Sequence, residues 1–191
     1  TNGMSQHTRN EMNANSALVV NLEKEDLLEF ERWPGDPLAG VAFQEELERK
    51  AFRMGGENYF APIQRLEDFI NSVVSVRIGS IKPSYLPGVH FADLNNSLPK
   101  QFISSIKESL PYFAKKNSFF MEPDAILTGL ETRTSSPIRI TRDVDLESLN
   151  VFGLIPAGEG AGYAGGIMSA GIDGIKAAEA MARKILSSSS Y

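Results

Sequence analysis

The stretch GLIPAGEGAGYAGGIMSAG, residues 153–171, is the part of this sequence best suited to chemistry. Glycine occupies positions 153, 158, 160, 162, 165, 166, 171 and 174, eight of the chain's 16. Without Cβ atoms, a backbone comes directly against a ligand. From Gly166 onward the pattern turns helical: Ile167, Ala170, Gly171, Gly174, Ile175, Ala178, Met181 and Ala182 recur at spacings of three and four. A helix N-terminus carries unsatisfied N–H groups and roughly half a positive charge. A glycine loop running into such a terminus suits a phosphate or an electron-rich carbonyl oxygen. Glu159 lies inside the loop and adds a two-oxygen acceptor for hydroxyl donors.

A second cluster, TRTSSP (132–137), sets Arg133 beside Ser135, Ser136 and Pro137. Arginine fixes anions bidentately. The plainer reading of this cluster is a solvated hairpin tip. No catalytic acid or base presents itself. His7 and His90 are far apart and have no metal-ligand spacing. The absence of cysteine rules out disulfides, thiolate metal sites and thiol catalysis within these residues. It fits a reducing, cytoplasmic compartment.

The elements that must position these clusters follow from periodicity. The apolar run SALVVNL (16–22) predicts a strand. WPGDP (33–37) predicts a turn, with Asp36 capping a helix that runs to about Arg53 and buries Leu38, Val41, Ala42, Leu47, Ala51 and Phe52. Residues 60–62 are expected to be extended, 63–72 helical, and 79–97 a loop. Residues 99–115 form a second amphipathic helix, kinked or ended near Pro111. Strands are expected at 126–131, 138–141 and 149–157, and the last helix at 166–185, with Asp173–Lys176 and Glu179–Arg183 paired along its surface.

GAGYAG (160–165) matches G-x-G-x-x-G, the dinucleotide fingerprint. That fingerprint requires a second strand ending in an acidic residue ~20 positions further on. Here the helix is followed only by SSSSY (187–191). The pattern is instead that of a closing strand–loop–helix unit whose opening partner lies elsewhere. The start at Thr1, inside a polar stretch, points the same way, to a chain lacking an N-terminal part. Net charge is −5 and the pI is near 5.1, which argues against a nucleic-acid or anionic-membrane partner. No apolar run approaches the ~18 residues of a membrane helix, and no secretory signal is visible.

GLIPAGEGAGYAGGIMSAGIDGIKAAEA (153–180) closely resembles the C-terminal flavin-closing motif of a family of FAD-dependent dehydrogenases of undefined substrate. These are relatives of the glutathione-reductase-like two-dinucleotide-binding flavoproteins. TGLETRTSSPIRI (128–140) resembles the same family. So, in order, do TNGMS (1–5), NANSALVV (13–20), DPLAG…FQ (36–44), RMGGENYFAP (53–62) and PSYLPGV (83–89). The resemblance implies an α+β fragment of an α/β flavoprotein: an inserted substrate domain plus the closing strand–loop–helix of a Rossmann-like FAD-binding domain. It implies a junction at 1–22, a substrate (cap) domain at 23–127 and a C-terminal return at 128–191, with the N-terminal FAD-binding βαβ preceding the chain.

The resemblance also assigns roles. Glu159 would accept from the ribityl chain, with Gly158 and Gly160 allowing the approach. Gly165, Gly166 and Ile167 would turn N–H groups toward the pyrimidine end of the isoalloxazine, where a reduced flavin carries negative charge. Tyr163 would sit by the ring or in the core. Arg133, with Ser135, would contact substrate or cofactor. The expected activity is hydride transfer through non-covalent FAD to or from an unknown small molecule, with NAD(P)H as a potential donor. A non-redox flavin- or nucleotide-binding scaffold, and a phosphate-binding module without flavin, stand as alternatives.

Overall fold

The computed structural model describes residues 7–8 and 10–188; the TNGMS stretch and the end of the serine tail lie outside the described residues. The chain forms two compact units. One comprises the described residues of Thr1–Asp26 together with Gln44–Thr132. The other comprises Leu27–Phe43 and the described residues of Arg133–Tyr191. A helix, α1 (Ala39–Met54), and a 3-10 turn (Lys24–Phe30) each run through a point where the chain passes from one unit to the other.

The first unit is built on a small mixed sheet of β1 (Ala61–Arg65), β2 (Val89–Phe91) and β3 (Ile126–Thr128), in the order β2-β1-β3. β1 pairs in parallel with β2, Ala61 opposite Val89, and antiparallel with β3, Ile63 opposite Thr128. Being central, β1 is buried on both faces from Ala61 to Gln64. The chain then enters α2 (Leu66–Ile70) without a linker, and the free N–H groups of Leu66 and Glu67 donate to the carbonyls of Ala125 and Pro123. Leu66 and Phe69 of α2 meet Leu94 and, from α3 (Lys100–Ala114), Ile103 and Leu110 to make the core.

Gln64 is fully buried and tethers two loops: its Nε2 donates to Val73 O (2.7 Å) and its Oε1 accepts from Leu94 N (2.8 Å). Arg65 reaches Asp124 through Nη2 (2.7 Å), and Asp124 also takes the N–H and hydroxyl of Ser80.

Several expectations are corrected here. Residues 63–65 belong to β1, not to a helix, because two neighbouring strands satisfy their backbone. SALVVNL has no strand partner and is irregular. α1 begins at Ala39, with the Asp36 carboxylate accepting from Leu38 N (2.9 Å). Its buried apolar side chains are Ala39, Phe43 and Leu47, four apart, whereas Leu38 and Phe52 are exposed. α3 continues through Pro111 for only three residues, and Phe113 is left exposed.

In the second unit Phe30 packs edge-on against Phe43 (5.1 Å between ring centroids). Gly40 lies so close to Pro137 that a Cβ would come within 2.9 Å of it. No strand forms at 138–141 or 149–157; residues 142 and 148 make one isolated bridge. The segment 148–154 folds back on itself instead, with Ser148 N donating to Leu154 O (2.8 Å), because no neighbouring strand is there to take its backbone groups. The last helix, α4 (Ile167–Ser188), turns Ala177 and Ala180 inward, flanked by Asp173 and Lys184 at helical spacing. The anticipated stripe of Ile167, Gly171, Gly174, Ile175 and Met181 faces outward. Ion pairs select the inward face: Asp173 binds Arg142, and Lys184 binds Glu147.

Candidate functional site

The two clusters singled out by sequence lie side by side in the second unit. Ile140 N donates to Ala161 O (3.2 Å), Arg139 Nε to Gly162 O (3.0 Å), and Ser136 Oγ to Gly160 O (3.2 Å). Of the two serines it is thus Ser136, rather than Ser135, that ties the polar turn to the glycine loop. Arg133 and Ser135 are exposed on the same turn.

The loop itself is a tight hydrogen-bonded turn, with Gly162 N donating to Glu159 O (2.9 Å) and Tyr163 N to Gly158 O (3.1 Å). Its glycines divide into two kinds. Gly162 has φ +84°, and a Cβ there would come within 2.5 Å of Ile138 O and 3.0 Å of Arg139 Cα. The fold requires glycine at that point. Gly158, at φ +72°, is likewise needed by the turn. Gly160 and Gly165 are different: neither is at positive φ, and a Cβ on either would meet nothing within 4 Å. Among the described residues nothing explains the missing side chain at these two positions, and the space in front of them is open. Glu159, between Gly158 and Gly160, is exposed.

The start of α4 adds donors. Gly166 N–H is taken by Ser169 Oγ (3.1 Å), which donates in turn to Gly166 O (2.9 Å). The first helical bond is from Ala170 N to Gly166 O. The N–H groups of Ile167 and Met168 therefore have no acceptor within the helix, and these residues are 93% and 76% exposed. An exposed helix terminus behind open glycines is a fitting cradle for the electron-rich edge of a planar ligand.

The geometry also holds residues that sequence reasoning missed. Arg142 forms a fork on Asp173, with Nη2 to Oδ1 at 2.7 Å and Nη1 to Oδ2 at 3.0 Å, and Nη1 also donates to Pro156 O at 2.7 Å. Its guanidinium lies 3.7 Å from the centroid of the Tyr163 ring. Asp173 also accepts from Gly158 N (2.8 Å), and Arg142 holds its carboxyl down to about 2. Tyr163 is engaged within the protein: its hydroxyl donates to Ile140 O (3.0 Å) and accepts from Arg142 N (3.0 Å). The expected Asp173–Lys176 surface pair is replaced by this internal one. Its only sequence signal was an arginine 31 positions before an acidic residue in a small-residue helix.

The family model described as "FAD-dependent protein, C-terminal domain-like" matches residues 1–134. The chain belongs to that family. The match includes Arg133 and ends before the glycine loop. An "uncharacterized protein" of Clostridium beijerinckii (strain ATCC 51743 / NCIMB 8052) is 48% identical over 184 residues, 96% of this chain and 34% of the relative. The chain thus spans about a third of that relative's length. No helix among the described residues is long and apolar enough to cross a membrane, and no metal-binding cluster of His, Cys, Asp and Glu occurs among them.

A groove of about 390 Å³ in the first unit is lined by Glu48, Arg49, Phe52, Arg53 and Tyr59. Arg49 is paired with Glu45 and Arg53 with Glu46, so the groove presents no uncompensated positive charge from these two.

Proposed function

We propose that residues 133–167 carry the flavin end of an FAD site, and that the chain is the C-terminal part of a longer FAD-dependent oxidoreductase. The observation that carries this reading is the pair of glycines, Gly160 and Gly165, whose missing side chains no internal contact or backbone angle demands. They flank a loop that ends on an exposed helix terminus in a chain of an FAD-dependent family. In this reading Glu159 accepts from the ribityl hydroxyls, with Gly158 and Gly160 giving access. Gly165, Gly166 and Ile167 meet the pyrimidine edge, the Ile167 N–H donating directly and the Gly166 N–H only on leaving Ser169 Oγ. Arg133 and Ser135 face substrate or cofactor. FAD supplies the hydride-accepting chemistry; these residues bind and orient it. Residues 23–127 are the substrate (cap) domain and 128–191 the return to a Rossmann-like FAD domain, with 1–22 as the junction.

The outward apolar stripe of α4 supports a longer protein. Ile167, Met168, Ile172, Ile175 and Leu186 are all more than half exposed. Burying each such side chain is worth about 1.5–3 kcal/mol, so the stripe is suited to contact with further chain.

The full-length protein should purify with bound flavin or take it up on titration. Glu159→Ala should weaken FAD binding by about 1–3 kcal/mol, the usual cost of a lost hydrogen bond to a charged group. A full-length wild-type protein that never binds FAD refutes the reading. A variant with unchanged affinity removes Glu159 from the site.

A further inference from the structure

Asp173 raises an electrostatic problem for the site. It lies in the second turn of α4, and its carboxylate reaches back to Gly158 N–H (2.8 Å). An uncompensated carboxylate there would claim the positive end of the helix and repel an electron-rich ligand. Arg142 covers it. The Arg142 and Asp173 side chains are only 10% and 13% exposed, and the contact is a two-pronged fork at 2.7 and 3.0 Å. The same guanidinium bonds Pro156 O before the loop and stacks on Tyr163 after it. One residue thus grips the glycine loop on both sides and neutralises the acid behind it. Lysine lacks the planar fork needed to do this.

We propose that Arg142 is a positioning residue of the flavin site, holding residues 156–163 in place and cancelling the Asp173 charge so that the first-turn N–H groups of α4 remain available to the ligand. This rests on the flavin reading given above. It predicts a signature that a purely structural ion pair lacks. Losing Arg142 leaves an unpaired negative charge near the cofactor, which disfavours the anionic reduced flavin. Losing the Asp173 charge leaves an unpaired positive charge, which favours it.

The test uses the full-length protein loaded with FAD. Midpoint potential, FAD affinity and thermal stability are measured for Arg142→Met, Asp173→Asn and the double variant. Both single variants should lose stability. The potential should fall for Arg142→Met, rise for Asp173→Asn, and return toward the wild-type value in the double variant. Shifts in the same direction, or none, overturn the proposal. Should the methionine variant not fold, Arg142→Lys keeps the charge and loses the fork. It should retain the wild-type potential with FAD affinity about tenfold weaker, and unchanged affinity overturns the positioning role. Wild-type protein without flavin overturns the flavin reading along with this proposal, whereas flavin-bound wild type with same-direction shifts overturns this proposal alone.

Discussion

Exchanging Gly162 and Gly165 for alanine, one at a time, separates a glycine that the fold consumes from one that it leaves open. At Gly162 (φ +84°) an L side chain is strained by about 1–2 kcal/mol. The new Cβ would also stand 2.5 Å from Ile138 O and 3.0 Å from Arg139 Cα. Both are backbone atoms that cannot rotate aside, so the two segments must part. The bond from Ile140 N to Ala161 O (3.2 Å) is the first to suffer. A lost hydrogen bond adds ~1 kcal/mol. Together these destabilise the second unit by about 2–3 kcal/mol.

Gly165→Ala meets nothing within 4 Å and has no positive φ to oppose it. Its stability should be unchanged, or higher by about 0.4–1 kcal/mol through lower unfolded-state entropy. Its FAD affinity should drop about tenfold or more, because a methyl group now occupies the ligand's approach; tenfold corresponds to ~1.4 kcal/mol. Urea unfolding of the apo full-length protein reads the first effect, and flavin fluorescence titration reads the second. If Gly165→Ala binds FAD like the wild type, the open glycines are not reserved for a ligand. If Gly162→Ala is as stable as the wild type, the packing argument that sorts the glycines fails.

Two further outcomes concern the first unit. Gln64→Leu should destabilise it by about 2–4 kcal/mol in urea unfolding. The buried Leu94 N–H is left unsatisfied outright, while the Val73 carbonyl, on an exposed residue, recovers part of its loss from water. A change under the scatter of repeat measurements would show that the loops do not depend on this amide. Asp124 is held to about 2 by the N–H and hydroxyl of Ser80 and by Arg65, below its ordinary 3.8. A lowered folded-state value contributes stability above pH 3.8 that is lost as pH falls toward about 2. Asp124→Asn should therefore flatten the acid limb of a stability–pH curve, and an unaltered limb would dismiss the linkage.

Local composition determined much of this protein. The ends of α1 were readable from Asp36 and the Gly55–Gly56 pair, because capping and left-handed termini depend on a few adjacent residues. α3 and α4 were readable from their 3.6-residue periods, and the glycine loop from its density. The family was legible in motifs spread along the chain. The flavin-site roles proposed for Glu159, Gly165, Arg133 and their neighbours were likewise drawn from sequence.

Tertiary structure decided whatever needed a distant partner. Strands were anticipated at 16–22, 138–141 and 149–157, yet a strand needs a neighbour that pairs with it along its length, and single bonds such as Ile140 N to Ala161 O do not make a ladder. Conversely, Ile63–Arg65 has helix-like spacing and becomes a central strand because β2 and β3 lie on either side. The inward face of α4 followed the Arg142–Asp173 and Glu147–Lys184 pairs rather than the apolar stripe. Two charges 31 residues apart leave no periodic trace in a sequence. Only the fold could distinguish Gly162, pressed against another segment, from Gly165, facing open space. The two are identical in sequence, and what differs is the presence of a neighbour within reach of an absent Cβ.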